Sequence, residues 1–139
     1  MRMLALSAML ALCIQLAADA RDQPFTGKFT NGFDRYPNVS LTLLQQGTRV
    51  RGMISIVGDS AASRVVTADI DGRIVHGVLS FAWQDSFENA GRATFRPDAK
   101  SWLLGSRITR PANDGRYFEG SFKLTRVSTH VTEADLPRP

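Results

Sequence analysis

The chain has 139 residues, 17 Lys and Arg against 13 Asp and Glu for a formal net charge of +4, and one cysteine. That length suits one domain with its own core, and a lone cysteine rules out a disulfide framework and cysteine-ligated metal. The basic residues are 14 Arg and 3 Lys, scattered singly rather than gathered in a run, so no nucleic-acid partner is expected.

Met1 and Arg2 form a short positive start. The stretch from Met3 to Ala18 is apolar except for Ser7 and Gln15, and Ala18-Asp19-Ala20 places small residues where a signal peptidase reads them. Residues 1–20 therefore read as a signal peptide cleaved after Ala20. The apolar run is shorter than the roughly 20 residues of a membrane span, so the mature chain is expected to carry no transmembrane segment and to be secreted or periplasmic. Leu12 stands before Cys13 where a lipobox has Gly, Ala or Ser, so Cys13 reads as an apolar residue of the leader. Cleavage removes Arg2, Asp19 and Cys13, which leaves the net charge unchanged and the mature chain without a thiol.

From Phe25 onward, short stretches of period-two alternation are separated by turn signals, and no helical period is sustained. Eight strands are predicted. The first, Phe25 to Thr30, turns Phe25, Gly27 and Phe29 to one face. The second, Asn38 to Gln45, points Val39, Leu41 and Leu43 inward, and the third, Arg49 to Val57, does so with Val50, Gly52, Ile54 and Ile56. The fourth, Arg64 to Ile70, offers Val66, Ala68 and Ile70. Asp71-Gly72 follows as the strongest hairpin signal in the chain, because a type I′ turn needs positive φ at both central positions. The fifth strand, Arg73 to Trp83, places Val75, Gly77, Leu79, Phe81 and Trp83 on one face. The sixth, Ala90 to Arg96, offers Gly91, Ala93 and Phe95. The seventh, Ser101 to Thr109, offers Trp102, Leu104, Ser106 and Ile108. The eighth, Gly115 to Val127, offers Phe118, Gly120, Phe122 and Leu124. Residues 128–139 lack alternation, contain two prolines and read as a flexible tail.

One apolar and one polar face per strand is the pattern of antiparallel sheet with one side in water. The fold class is all-β: residues 21–127 form a small antiparallel up-and-down barrel of about eight strands, with an open β-sandwich as the alternative. Closure removes exposed sheet edges, and inward glycines at 27, 52, 77, 91 and 120 suggest strong curvature. A membrane barrel is disfavoured, since the charged faces with Arg49, Arg51, Arg92, Arg96 and Lys123 would then meet lipid.

The even-numbered connections are short and the odd ones longer, so a meander seals one end and gathers four longer loops at the other. That open end presents Asp34, Arg35, Tyr36, Asp85, Phe87, Glu88 and Asn89 among others. The candidate ligand-binding residues are Arg35, Tyr36, Phe81, Trp83, Phe87 and Trp102. Phe87 and Tyr36 either fold back as a plug or await a partner.

The chain resembles the calycin group, the lipocalin and avidin style of eight-stranded meander barrel. Lipocalins open with Gly-x-Trp on the first strand; here Gly27-Lys28-Phe29 keeps the spacing with Phe in place of Trp. The resemblance implies that Arg126, from the last strand, packs against the first-strand aromatic. Trp83 and Trp102 on late strands resemble the avidin pattern, but no ligand-binding set carries over.

His76 and His130 are the only histidines, and no metal-ligating pair or nucleophile elbow accompanies them. Asp69 and Asp71 read as turn-associated rather than as a catalytic pair, and Asp85 and Glu88 lack a matched partner. No catalytic residue, metal or cofactor is expected. Asn38-Val39-Ser40 is a glycosylation sequon. The expected function is an exported binding protein that holds a small apolar or amphipathic ligand at the long-loop end. The alternative is a protein-interaction module or inhibitor of the cell envelope or extracellular space using the same loops.

Overall fold

The computed structural model describes residues 23–32, 34–35, 37–58, 65–111 and 119–137; the expected signal peptide lies outside them. Eight strands follow in chain order: β1 (Gly27–Thr30), β2 (Asn38–Gln46), β3 (Arg49–Val57), β4 (Val65–Val75), β5 (Val78–Gln84), β6 (Ala90–Asp98), β7 (Ser101–Arg110) and β8 (Gly120–Ser128). Each pairs antiparallel with its neighbours in sequence, and β1 pairs with β8, so the sheet closes into an up-and-down barrel. Phe29 opposite Arg126 seals the seam and removes the open-sandwich alternative.

Inward side chains come from the alternation the sequence displays. Val39, Leu41 and Leu43 on β2, Val50, Ile54 and Ile56 on β3, and Leu79, Phe81 and Trp83 on β5 are all buried. The barrel is narrow where glycines stand. A Cβ on Gly52 would lie 2.0 Å from the Thr42 carbonyl oxygen, a separation that backbone contact forbids. Inward glycines therefore let neighbouring strands coil more tightly than side chains would permit.

The Asp71-Gly72 hairpin is corrected. β4 runs through both residues to Val75, with nine consecutive pairs to β3 that end at Arg49↔Arg73. The turn falls at His76-Gly77, where φ is 53° and 75°, the positive pair a type I′ hairpin needs. Register decides the outcome: continuing β4 brings Ile74 against the core and places Asp71 on the outer wall, where Arg49 donates two hydrogen bonds to its carboxylate at 3.0 and 2.8 Å. Val75 and Gly77 consequently face solvent instead of the interior, and Gly120 is likewise exposed. His76 is an exposed turn residue rather than a strand residue.

The segment after β8, expected to be a flexible tail, packs on the barrel as far as it is described. Val131 and Leu136 are buried although neither belongs to the interior cluster. A 3-10 turn (Glu133–Asp135) separates them, with Asp135 accepting from the Thr132 N–H at 2.8 Å. Glu133 pairs with Arg51 of β3 and accepts from Gln46 of β2, and Asp135 lies 3.9 Å from Lys28 of β1. The segment is thus a strap across the outer faces of β1, β2 and β3. Two apolar anchors within one turn were too few to read as an element in the sequence.

Candidate binding surfaces

Because the barrel is a meander, the connections after β2, β4 and β6 lie at one end, and those after β1, β3, β5 and β7 at the other. The first set are two-residue turns between strand ends; the second set are the longer connections. The expected asymmetry of the ends is present.

The six candidate ligand-binding residues are divided by this geometry. Trp83, on the last stretch of β5 before the loop end, is 3 % exposed and donates its indole N–H to Ser106 Oγ at 3.0 Å. Phe81 is also buried, further down the same strand. Phe87, in the connection after β5, is half-buried and packs against the interior cluster. These three belong together. Trp102 begins β7 at the opposite end, and Arg35 is exposed in the connection after β1. Tyr36 lies outside the described residues.

Asp85 organises the loop that carries Phe87. One carboxylate oxygen accepts from the Phe87 and Asn89 backbone N–H groups, both at 2.9 Å, and the other accepts from the Asn89 side-chain amide at 3.1 Å. Asn89 is fully buried, and the Ser86 N–H donates to the Thr67 carbonyl, which ties the loop to β4. The carboxylate is committed to holding backbone, which explains an acid in a loop without invoking acid-base chemistry. Asn38, the sequon residue, is 8 % exposed, with its side-chain amide donating to Asn31 Oδ1 and to the Gly32 carbonyl. A nitrogen so placed is not presented for glycosylation.

The sealed end is plugged by rings. Trp102 stacks on Phe95 at 5.0 Å between centroids and meets Phe25 and Phe29 edge-on at 5.2 and 5.1 Å. The Arg126 guanidinium sits 5.0 Å from the Phe29 ring and 5.1 Å from the Trp102 ring, and donates to the Pro24 carbonyl. Burial pushes the Arg126 pKa below its ordinary value, and its Nε is buried without a hydrogen-bond partner. The aromatic faces supply the electrostatic compensation that water would otherwise give.

Among the described residues the middle of the interior is tightly packed. Leu41, Leu43, Ile54, Leu79, Phe95 and Leu104 are each at most 1 % exposed. A lumen wide enough for water would leave some of their surface wetted.

A concavity that sequence reading missed lies on the outside of the wall. It is a groove of about 690 Å³ crossing β4 to β8. Its middle row, running from Gly72 through Phe81, Ala93 and Ser106 to Gly120, turns its side chains inward where it has them, so bare backbone faces out. Ser80, Thr94, Gly105 and Ser121 form one bank, continued by Arg73. Asp71, Ala82, Arg92 and Arg107 form the other. The only sequence signal was the polar face of each strand; their alignment appears only once the register is known.

Among the described residues no helix is long and apolar enough to cross a membrane, and no three His, Cys, Asp or Glu side chains gather as a metal site. Comparison with protein-family models, curated proteins and solved structures gives no match to this chain.

Proposed function

We propose that this chain is an exported, non-catalytic binding barrel of the calycin type that engages a protein partner through its loop end. The observation that carries this reading is the dry interior among the described residues: Phe81 and Trp83, against which a small apolar ligand would rest, are 4 % and 3 % exposed. A barrel with no lumen binds with its surface, and the loop end is where the chain departs from minimal turns. The calycin assignment draws support from Gly27-Lys28-Phe29 with Arg126 stacked over Phe29, the arrangement that the resemblance implies. Export draws support from residues 1–20, whose pattern is that of a signal peptide.

Two measurements test the reading together. Native mass spectrometry of protein purified from its source is expected to give the bare polypeptide mass, and titration with an apolar dye is expected to leave tryptophan emission unchanged. A retained small molecule, or saturable quenching of Trp83, overturns the filled-barrel reading and restores the small-ligand one. A photo-crosslinker at position 35 is expected to join one discrete protein, with the yield lost when excess parent chain competes. Equal crosslinking from a position on the sealed end, such as Lys100, overturns the loop-end assignment.

A further inference from the structure

The outer-wall groove is lined by strand residues and carries an unbalanced charge. Arg92 on β6 and Arg107 on β7 stand directly opposite each other in register, both exposed on the same face. Like charges so placed repel. Among the described residues no carboxylate lies within ion-pair distance of Arg73, Arg92 or Arg107. Asp71, the nearest acid in the groove, already accepts both of its hydrogen bonds from Arg49. Glu119, beyond Arg107 on the far bank, turns its carboxylate to the Ile108 N–H at 3.4 Å.

The floor between these cations is kept low. A Cβ on Gly105 would meet nothing nearer than Thr94 Oγ1 at 3.5 Å, so packing does not require glycine there. Its absence of side chain instead leaves the bank open beside the hydroxyls of Ser80, Thr94 and Ser121. The sheet spacing puts Arg73 about 12 Å from Arg92, measured across two strands and along two residues.

We infer that this groove binds an acidic polysaccharide, with one carboxylate or sulfate held between the Arg92 and Arg107 guanidiniums and a second reached by Arg73. Guanidinium forks match planar and tetrahedral oxyanions, and a row of small hydroxyl side chains suits a polyhydroxylated chain. Other polyanions fit less well. The groove has no outward aromatic on which bases would stack and no large aliphatic surface for acyl chains. The closed sheet also offers no edge to which an acidic peptide would add as a strand.

The test is binding of the purified protein to polygalacturonate and to heparin by calorimetry at low salt, with neutral dextran, a single-stranded oligonucleotide and anionic lipid vesicles as comparisons. Binding to at least one acidic polysaccharide is expected, weakening as salt is raised. Arg92→Gln with Arg107→Gln is expected to weaken it at least tenfold, whereas Arg96→Gln with Lys100→Gln, which removes the same charge outside the groove lining, is expected to change it less than twofold. The groove variant is expected to melt no lower than the parent, because repulsion has been relieved. Equal losses in both double variants would mean diffuse attraction to a basic surface and overturn the site. Failure to bind either polysaccharide, tighter binding of the oligonucleotide or vesicles, or a lower melting temperature in the groove variant overturns it too. The crosslinking from position 35 is independent of all these outcomes, so each reading fails separately.

Discussion

At the scale of single residues, one close approach in the barrel depends on an atom that is missing. A Cβ on Gly91 would lie 2.3 Å from the Arg107 carbonyl oxygen and 2.4 Å from the Trp83 ring. Glycine there lets the indole ring approach the β6 backbone closely, with its N–H donating to Ser106 on β7. Gly91→Ala should therefore force Trp83 off its seat and weaken its bond to Ser106, costing about 2–3 kcal/mol by overpacking. Urea denaturation followed by tryptophan fluorescence measures this, and a loss below about 0.5 kcal/mol would show that the wall yields easily. Residue identity alone flagged Gly91 as inward but gave no hint of its partner, since Trp83 is set opposite it only by the β5–β6 register. The position of the half-buried Arg126 over Phe29 was anticipated only through the resemblance carried by Gly27-Lys28-Phe29.

At the scale of elements, alternation was legible wherever a strand has one wet and one dry face. β2 and β3 occupy almost the spans that their patterns predict, because nine paired positions on each give the period time to declare itself. The β4–β5 turn was misplaced for a definable reason. Asp-Gly states a local preference for positive φ, but pairing along the length of β3 outweighs it, and His76 is not a residue that announces a turn. The left-handed conformation at His76 is strained for most side chains and easy for asparagine. His76→Asn should accordingly stabilise the barrel by about 0.5 kcal/mol, read as a rise in thermal midpoint at neutral pH with groove binding unaltered. A fall in the midpoint would mean that His76 makes a favourable contact that the turn geometry does not require. The strap went unread because its two anchors, Val131 and Leu136, gain meaning only against the outer faces of strands about a hundred residues away in sequence. The groove is hidden for the same reason: Arg92 and Arg107 become neighbours only through the pairing of β6 with β7.

For the whole molecule, electrostatic support sits on the outside of the wall and in the strap. The Arg49 hydrogen bonds hold the Asp71 carboxyl below its usual range, and those from Arg51 do the same for Glu133. The Thr132 backbone N–H, with Lys28 nearby, lowers Asp135. A carboxylate whose folded pKa is depressed adds stability above its unfolded value, about 3.9 for Asp and 4.3 for Glu, and loses it as pH falls through the folded value. Thermal midpoints are thus expected to change little between pH 7 and 5 and to drop below about pH 4. Because these pairs are solvent-exposed, the drop should be modest and should shrink in high salt. Glu133→Gln should flatten the acid limb, and an unchanged limb would remove the strap from the account. Closure itself was readable from short connections and paired faces, whereas the fullness of the interior was not, since alternation says which way side chains point and not whether they meet.

The seam of this barrel is its shortest strand. β1 contributes four residues, and its pairing with β8 is interrupted between Lys28 and Phe29. Mechanically, such a molecule is a cylinder with one weak stave. A pull on the chain ahead of Phe25 would load that stave before any other and unroll the wall from its N-terminal edge. A load applied through the middle strands would be shared by the long ladders on either side.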